Sequence, residues 1–382
     1  MIREIAFLFV FTGGLVAKSV VVGTGDPAVD IAAVQVAVAR GGQVVLQGRF
    51  SFEDPPAMRA MLPGLTAMVL VSKDVTISGA WDDRGEITSI LGGEIPFVIE
   101  APAGHVRIEH LRFMHPKGYA IVVDAISGLE IESCVIEAVQ PAPPPNNPSG
   151  TIYGYGIYVA SLLGLPSRHR PGQPENISGK LAIVNNQISI GGTPEQDGMG
   201  IMLTSAGTAE RPVDVEISGN TIRNATKKGI NVKQIGGQAR IERNIVTSSI
   251  VYTGHTHNDL IAGIHVGGAG LFRVARNRID YADPEGSGIR VRSFSRLDAP
   301  VEHAIVTDND VTMSSTADAI FGSASAGIEI RGLARDNVVQ QNTIRGRARV
   351  AVALEPDDMG VPVRNSFERN DHAGFIAPRG SR

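Results

Sequence analysis

Residues 213–232 read VDVEISGNTIRNATKKGINV, and two phrases within them decide the fold. Val213, Val215 and Ile217 alternate with Asp214 and Glu216, the period of a strand with one buried face. Asn220 follows, with Ile222 two residues on. After a polar turn the second phrase, Gly229-Ile230-Asn231-Val232, opens another short strand. The stretch therefore holds three strands separated by turns and leaves no room for a helix between them.

Working outward from it, both phrases recur. Gly-Ile-x-Val or a close variant begins at Gly156, Gly200, Gly229, Gly263, Gly288 and Gly327, at intervals of 44, 29, 34, 25 and 39 residues. The Asn phrase recurs at Asn186, Asn220, Asn244, Asn277, Asn309 and Asn342, each two residues before Ile or Val, and the two series interleave strictly. Three short strands per period make one coil of a solenoid, whose apolar side chains are buried only against the coils above and below, about 4.8 Å away. The sequence predicts an all-β chain, a right-handed parallel β-helix of roughly ten coils with Ile and Val pointing inward. We expect the asparagines to take the left-handed conformation at a sharp bend and to hydrogen-bond from coil to coil.

Upstream the grammar continues without the Asn, in Val106-x-Ile108 and in Leu129-x-Ile131, with Cys134 where Asn falls later. Asp30 to Arg40 reads as a short Ala-rich helix with Asp30 as N-cap and Gly41-Gly42 at its end. A helix there would cap the open end of the solenoid.

A solenoid absorbs 382 residues as one unit, which we bound at 18–370, with 371–382 as a C-terminal tail. We expect the repeat to be lost after Arg364. The 44 glycines and 43% hydrophobic content suit many strands and tight turns, and a net charge of −4 gives no overall reason to bind nucleic acid or an anionic membrane. Cys134 is the only cysteine, which excludes an internal disulfide and reads as a small buried hydrophobe. Residues 1–17 contain the apolar run Ile5–Ala17 behind Arg3, too short to span a bilayer. It fits a signal peptide, which would make the protein secreted or periplasmic, or else a first strand. Nucleotide loops, nucleophile elbows and metal-ligand signatures are absent.

The order of a capping helix, the strand Val44-Val45-Leu46, then coils of V-x-I-x-x-N-x-I and G-I-x-V resembles the pectin-lyase-like β-helix superfamily, particularly its Asn-ladder, carbohydrate-active branch, over residues 20–370. The resemblance implies a ligand cleft along the Gly-Ile-x-Val strands and a polysaccharide or oligosaccharide partner. It does not choose among lyase, epimerase, hydrolase and binding protein. Carried onto this sequence, the first outward column is Tyr158, Met202, Asn231, His265, Arg290 and Glu329, and the second is Ala160, Thr204, Lys233, Gly267, Arg292 and Arg331. Lys233, His265, Arg290, Arg292 and Arg331 would make a local basic strip; the plainer reading is an ordinary solvated face.

The loop Tyr252 to Asp259 (YTGHTHND) is the densest group of proton-transfer side chains. Acid/base work, a metal on His255 and His257, and surface decoration all fit it. On a uronic-acid polymer, Arg290 and Arg292 would neutralise the sugar carboxylate, Lys233 or His265 would remove the α-proton, and His255, His257 or Tyr252 would supply the acid. Asn231, Glu329, Arg331 and Tyr158 would contact substrate. Hydrolysis needs two spaced carboxylates, and Glu329 is the only one in the columns, with Asp259, Asp283 and Asp318 on loops. Binding without turnover is the alternative reading, and hydrolysis the third. The chain is only 5% aromatic, with Trp81 its sole tryptophan, and Tyr153, Tyr155 and Tyr158 either stack a sugar or pack the proline-rich segment Pro141–Pro148. No cofactor is indicated, and Ca²⁺ stays open.

Overall fold

A computed structural model describes residues 18–53, 67–141, 153–160, 174–253, 261–283, 286–293, 299–314, 326–358, 360–373 and 375–376. Among the described residues its strands form a 20-stranded, an 11-stranded and a 2-stranded sheet, and successive coils pair in parallel and in register. Ile95–Glu109 and Tyr119–Glu132 run through a corner and pair on two faces at once, which joins those faces into the larger sheet. The fold is the right-handed parallel β-helix expected from the repeat. We call its faces the glycine face (the Gly-Ile-x-Val strands), the alternating face and the post-ladder face (the strands that follow the Asn). No helix among the described residues is long and apolar enough to cross a membrane.

The two phrases recur together because they pack against each other. A Cβ on Gly229 would sit 2.3 Å from Val246 Cγ1, on Gly263 2.6 Å from Ile279 Cγ2, on Gly288 2.2 Å from Val311 Cγ1, and on Gly327 2.3 Å from Ile344 Cγ2. Each aliphatic residue two positions after an Asn thus fills the space its glycine leaves. These glycines also lie 2.6–2.7 Å, measured from that Cβ, from the carbonyl of the strand on the next coil, so no side chain can move aside for them. Gly263→Ala is accordingly expected to cost about 1–3 kcal/mol by overpacking. A urea midpoint that does not move would refute this packing.

The capping helix is Pro27–Arg40, and its N-cap is Asp26, which accepts from the Ala28 N–H, not Asp30 as we expect from the sequence. Asp30 lies buried in the first turn, and its carboxylate accepts from the N–H groups of Thr24, Gly25 and Ser51 and from the Thr24 hydroxyl. It anchors the cap to the first coil.

The asparagines stack as expected, but they do not make the bend. Each ladder Oδ1 accepts the N–H of the residue one coil earlier, and each Nδ2 donates to a backbone carbonyl and to the next Oδ1, as in Asn220, Asn244 and Asn277. The left-handed residue is the one before: Ser133, Asn185, Gly219, Arg243, Arg276, Asp308, Gln341 and Arg369 have φ of 53–67°. The bend frees peptide groups on both sides, and only the amide just past it can reach them. Cys134 heads the ladder, donating its N–H to Asn186 Oδ1, and burial pushes its thiol up to about 12. The repeat does not end at Arg364: Asn370 accepts from Asn342, and a second ladder links Asn337 to Asn365. The strand Phe375–Ile376, inside the expected tail, pairs with Thr343–Arg347.

Candidate active site on the glycine face

Both outward columns stand in the register the spacing predicts. Tyr158, Met202, Asn231, His265, Arg290 and Glu329 are Cα partners in succession, as are Ala160, Thr204, Lys233, Gly267, Arg292 and Arg331. The columns are not, however, an open basic strip. Asn231 is 0% exposed, His265 6%, and Arg290 and Glu329 1% each.

Arg290 is saturated. Its Nε and Nη2 bond Glu329 Oε2 at 2.8 and 2.6 Å, Nη2 also donates to the Ser287 hydroxyl, and Nη1 donates to the Ile261 carbonyl. Arg290 therefore offers no bidentate face to a sugar carboxylate. Burial opposes ionisation of Glu329, but Arg290 and the Ser287 hydroxyl reverse that and hold its carboxyl below the ordinary range. An ionised, ion-paired carboxylate is a poor general acid, so Glu329 does not suit the acid half of a hydrolytic pair. Arg331 bonds Glu329 at 3.4 Å, and Arg292 bonds Asp357 at 3.2 Å and remains partly exposed.

The two coils before Arg290 carry an unsatisfied pair. Asn231 donates to the Met202 sulfur at 3.0 Å, a weak acceptor, while its Oδ1 has no partner. One coil on, His265 Nδ1 is buried and also unbonded. Burial, then Lys228, Arg290, Lys233 and Arg292, drive the His265 pKa well below its ordinary value, so the imidazole is neutral at pH 7. Buried polar atoms without partners call for an explanation, and Asn231 and His265 stand on neighbouring coils of one column, with Gln234 Nε2 and Arg331 Nε also unbonded.

Lys228 is the residue that sequence reasoning missed. Strict alternation from Ile230 would turn it inward, but the glycine column drops out of the ladder pairing (Lys228 pairs with Ala262, Ile230 with Ile264) and Gly229 faces the core, so alternation breaks and Lys228 acts on His265.

Tyr252 belongs to a different cluster. Its hydroxyl donates to Asp197 Oδ1 at 2.5 Å, Lys227 Nζ bonds Asp197 Oδ2 at 2.7 Å, and the Tyr252 N–H donates to Asp283. Lys227 and Asp197 are fully buried. This cluster ties the residue before the His265 strand to two earlier coils, and it replaces the free acid expected of Tyr252. His255 and His257 lie outside the described residues.

Tyr158 is no open stacking platform either. Tyr119, Tyr155 and Tyr158 pack ring to ring at 5.3–5.6 Å among Val98, Val122, Met199 and Met202, in a buried apolar cluster separate from the core of the coils. Among the described residues no group of three or more His, Cys, Asp and Glu comes together to hold a metal.

No protein-family model matches the chain, and no curated protein matches its sequence. Solved structures do match. The Dettilon tailspike protein is 13% identical over 86% of this chain, with a TM-score of 0.46, and this chain spans only 62% of its length. The A-module of mannuronan C-5 epimerase AlgE4 from Azotobacter vinelandii is 15% identical, covering 93% of this chain and 94% of its own, with a TM-score of 0.40. DFA-IIIase from Arthrobacter chlorophenolicus A6 is 13% identical, covering 94% and 96%, with a TM-score of 0.37. The parallel β-helix itself is read from this chain's own strand pairing.

Proposed function

We propose that this protein acts on a uronic-acid-containing polysaccharide, removing the proton α to a sugar carboxylate and completing either β-elimination or C5 epimerisation. The reading rests on the unbonded Asn231 Oδ1 and His265 Nδ1, side by side on neighbouring coils among four cations. Removing that proton makes a carboxylate-stabilised carbanion of greater negative charge, which Lys228, Lys233 and Arg292 stabilise. His265, already neutral, accepts the proton without first losing one. Asn231 Oδ1 takes a sugar hydroxyl. Elimination then expels the glycosidic oxygen, while epimerisation returns a proton to the opposite face. Tyr252 has its hydroxyl on Asp197, which leaves His255 and His257 as candidate acids.

Burial of the column and saturation of Arg290 favour a second reading, a polysaccharide-binding β-helix without turnover. One experiment separates them. The protein is incubated in deuterated buffer with a panel of uronic-acid polysaccharides, following ultraviolet absorbance of unsaturated product and deuterium at the sugar C5. We expect one signal or the other. Binding without either supports the second reading, and no binding to any acidic polymer overturns both.

A further inference from the structure

A second concavity lies on the post-ladder face of the first coils, on strands distant from His265. Strands Arg49–Ser51, Ser89–Leu91 and Arg112–Met114 stack there in parallel, with Phe50, Ile90 and Phe113 inward and Arg49, Ser89 and Arg112 in one outward column. Where later coils turn with a left-handed residue and an Asn, this coil inserts a hairpin. The Thr88 hydroxyl donates to the Leu46 and Ala80 carbonyls at its base, and Trp81 pairs antiparallel with Ile87. Asp82 Oδ1 accepts from the N–H groups of Arg84 and Glu86 and fixes the tip.

The hairpin walls a pocket of 460 Å³, within the size range of small-molecule sites, whose lining includes Arg49, Glu53, Glu86, Ile87, Leu91 and Met114. Trp81 is the only tryptophan of the chain and is 63% exposed. Directly paired residues of an antiparallel ribbon point to the same side, so Trp81 shares the hairpin side of Ile87, which lines the pocket. Asp82, the chain neighbour of Trp81, and its bridge partner Ile87 both line the pocket, which leaves the exposed indole face next to the opening and available for stacking.

The polar groups select the ligand. Arg112 is already held bidentate by Glu137 at 2.9 and 3.0 Å and lies 3.9 Å from Glu86, and Asp82 is held by its own turn. Among the described residues Arg49 and Glu53 have no ion pair, and the Glu53 stem occupies the space that Gly92 leaves, 2.4 Å from where a Cβ would be. A ligand of net negative charge would meet Glu53 and Glu86, and a cation would meet Arg49. An uncharged polyhydroxy compound suits both, since its hydroxyls donate to carboxylates and accept from a guanidinium while a C–H face packs on the indole. We propose that this pocket is a neutral-saccharide site, with Trp81 as stacking platform and Arg49 and Glu53 as polar contacts. It stands independently of any reaction on the glycine face.

Trp81 reports on it without a label. Red-edge-excited tryptophan emission of the full chain is titrated with neutral cello-, malto-, manno- and galacto-oligosaccharides, and with uronic-acid oligosaccharides as contrast. A saturable change with at least one neutral series is expected, weakened about tenfold or more in Arg49→Ala and in Glu53→Gln. Calorimetry should show the same loss in Trp81→Ala. All three side chains are on the surface, and unchanged thermal melts check that the variants are folded. Absence of both emission change and heat with every neutral series overturns the proposal. So does equal binding by the variants, or a preference for the uronic-acid series.

Discussion

Glu329→Ala is expected to lower stability by about 3–5 kcal/mol. The side chains of Arg290 and Glu329 are each 1% exposed, and removal of the carboxylate leaves a guanidinium with two neutral acceptors, the Ser287 hydroxyl and the Ile261 carbonyl, and no counter-charge. The cost is that of an uncompensated buried cation, not the worth of the pair. Arg290→Met combined with Glu329→Leu should therefore recover most of the loss, because apolar replacements of similar volume avoid desolvating either charge. Urea unfolding of the single and double variants measures both. A loss under about 1 kcal/mol in Glu329→Ala would mean that the pair behaves as a solvated one.

That pair also shows what the sequence could have said. Arg290 and Glu329 occupy the same position of successive Gly-Ile-x-Val phrases, so opposite charges one coil apart were visible as soon as the repeat was aligned. The repeat itself was legible because a coil buries its side chains only against its neighbours, and each inward position must stay aliphatic. Identity was lost where geometry, not side-chain type, sets the requirement. The left-handed residue before each ladder Asn is Asn, Gly, Arg, Asp or Gln, since the bend is imposed by the amide after it. Asp26 and Asp30 are both helix-start signals, and only the packing of the cap on Ser51 tells them apart. Lys228 was hidden by a break in alternation at glycine. The Lys227–Asp197–Tyr252 cluster joins residues up to 55 apart through turns that carry no periodic signal.

His265→Leu should abolish most turnover while leaving the fold at least as stable. Loss of a general base costs about 100- to 10,000-fold in kcat/KM. Its Nδ1 is buried without a partner, and a buried unsatisfied group costs about 1–3 kcal/mol, so an apolar replacement removes a penalty and fills the same volume. A structural histidine would behave in the opposite way, losing stability first and activity only through it. The pH behaviour gives an independent check. Because burial and the surrounding cations place the folded pKa well below 6.5, the unfolded chain binds the proton at a higher pH than the folded one does. The contribution of the neutral ring to stability is therefore complete above pH 6.5 and is lost as pH falls from 6.5 toward the folded pKa. In His265→Leu that part of the acid destabilisation should vanish. Wild-type kcat/KM should hold through pH 6.5 and fall only at lower pH, where the folded imidazole at last takes its proton. An activity limb centred at pH 6.5 would mean a solvated histidine, and would move the base elsewhere among the cations of the column.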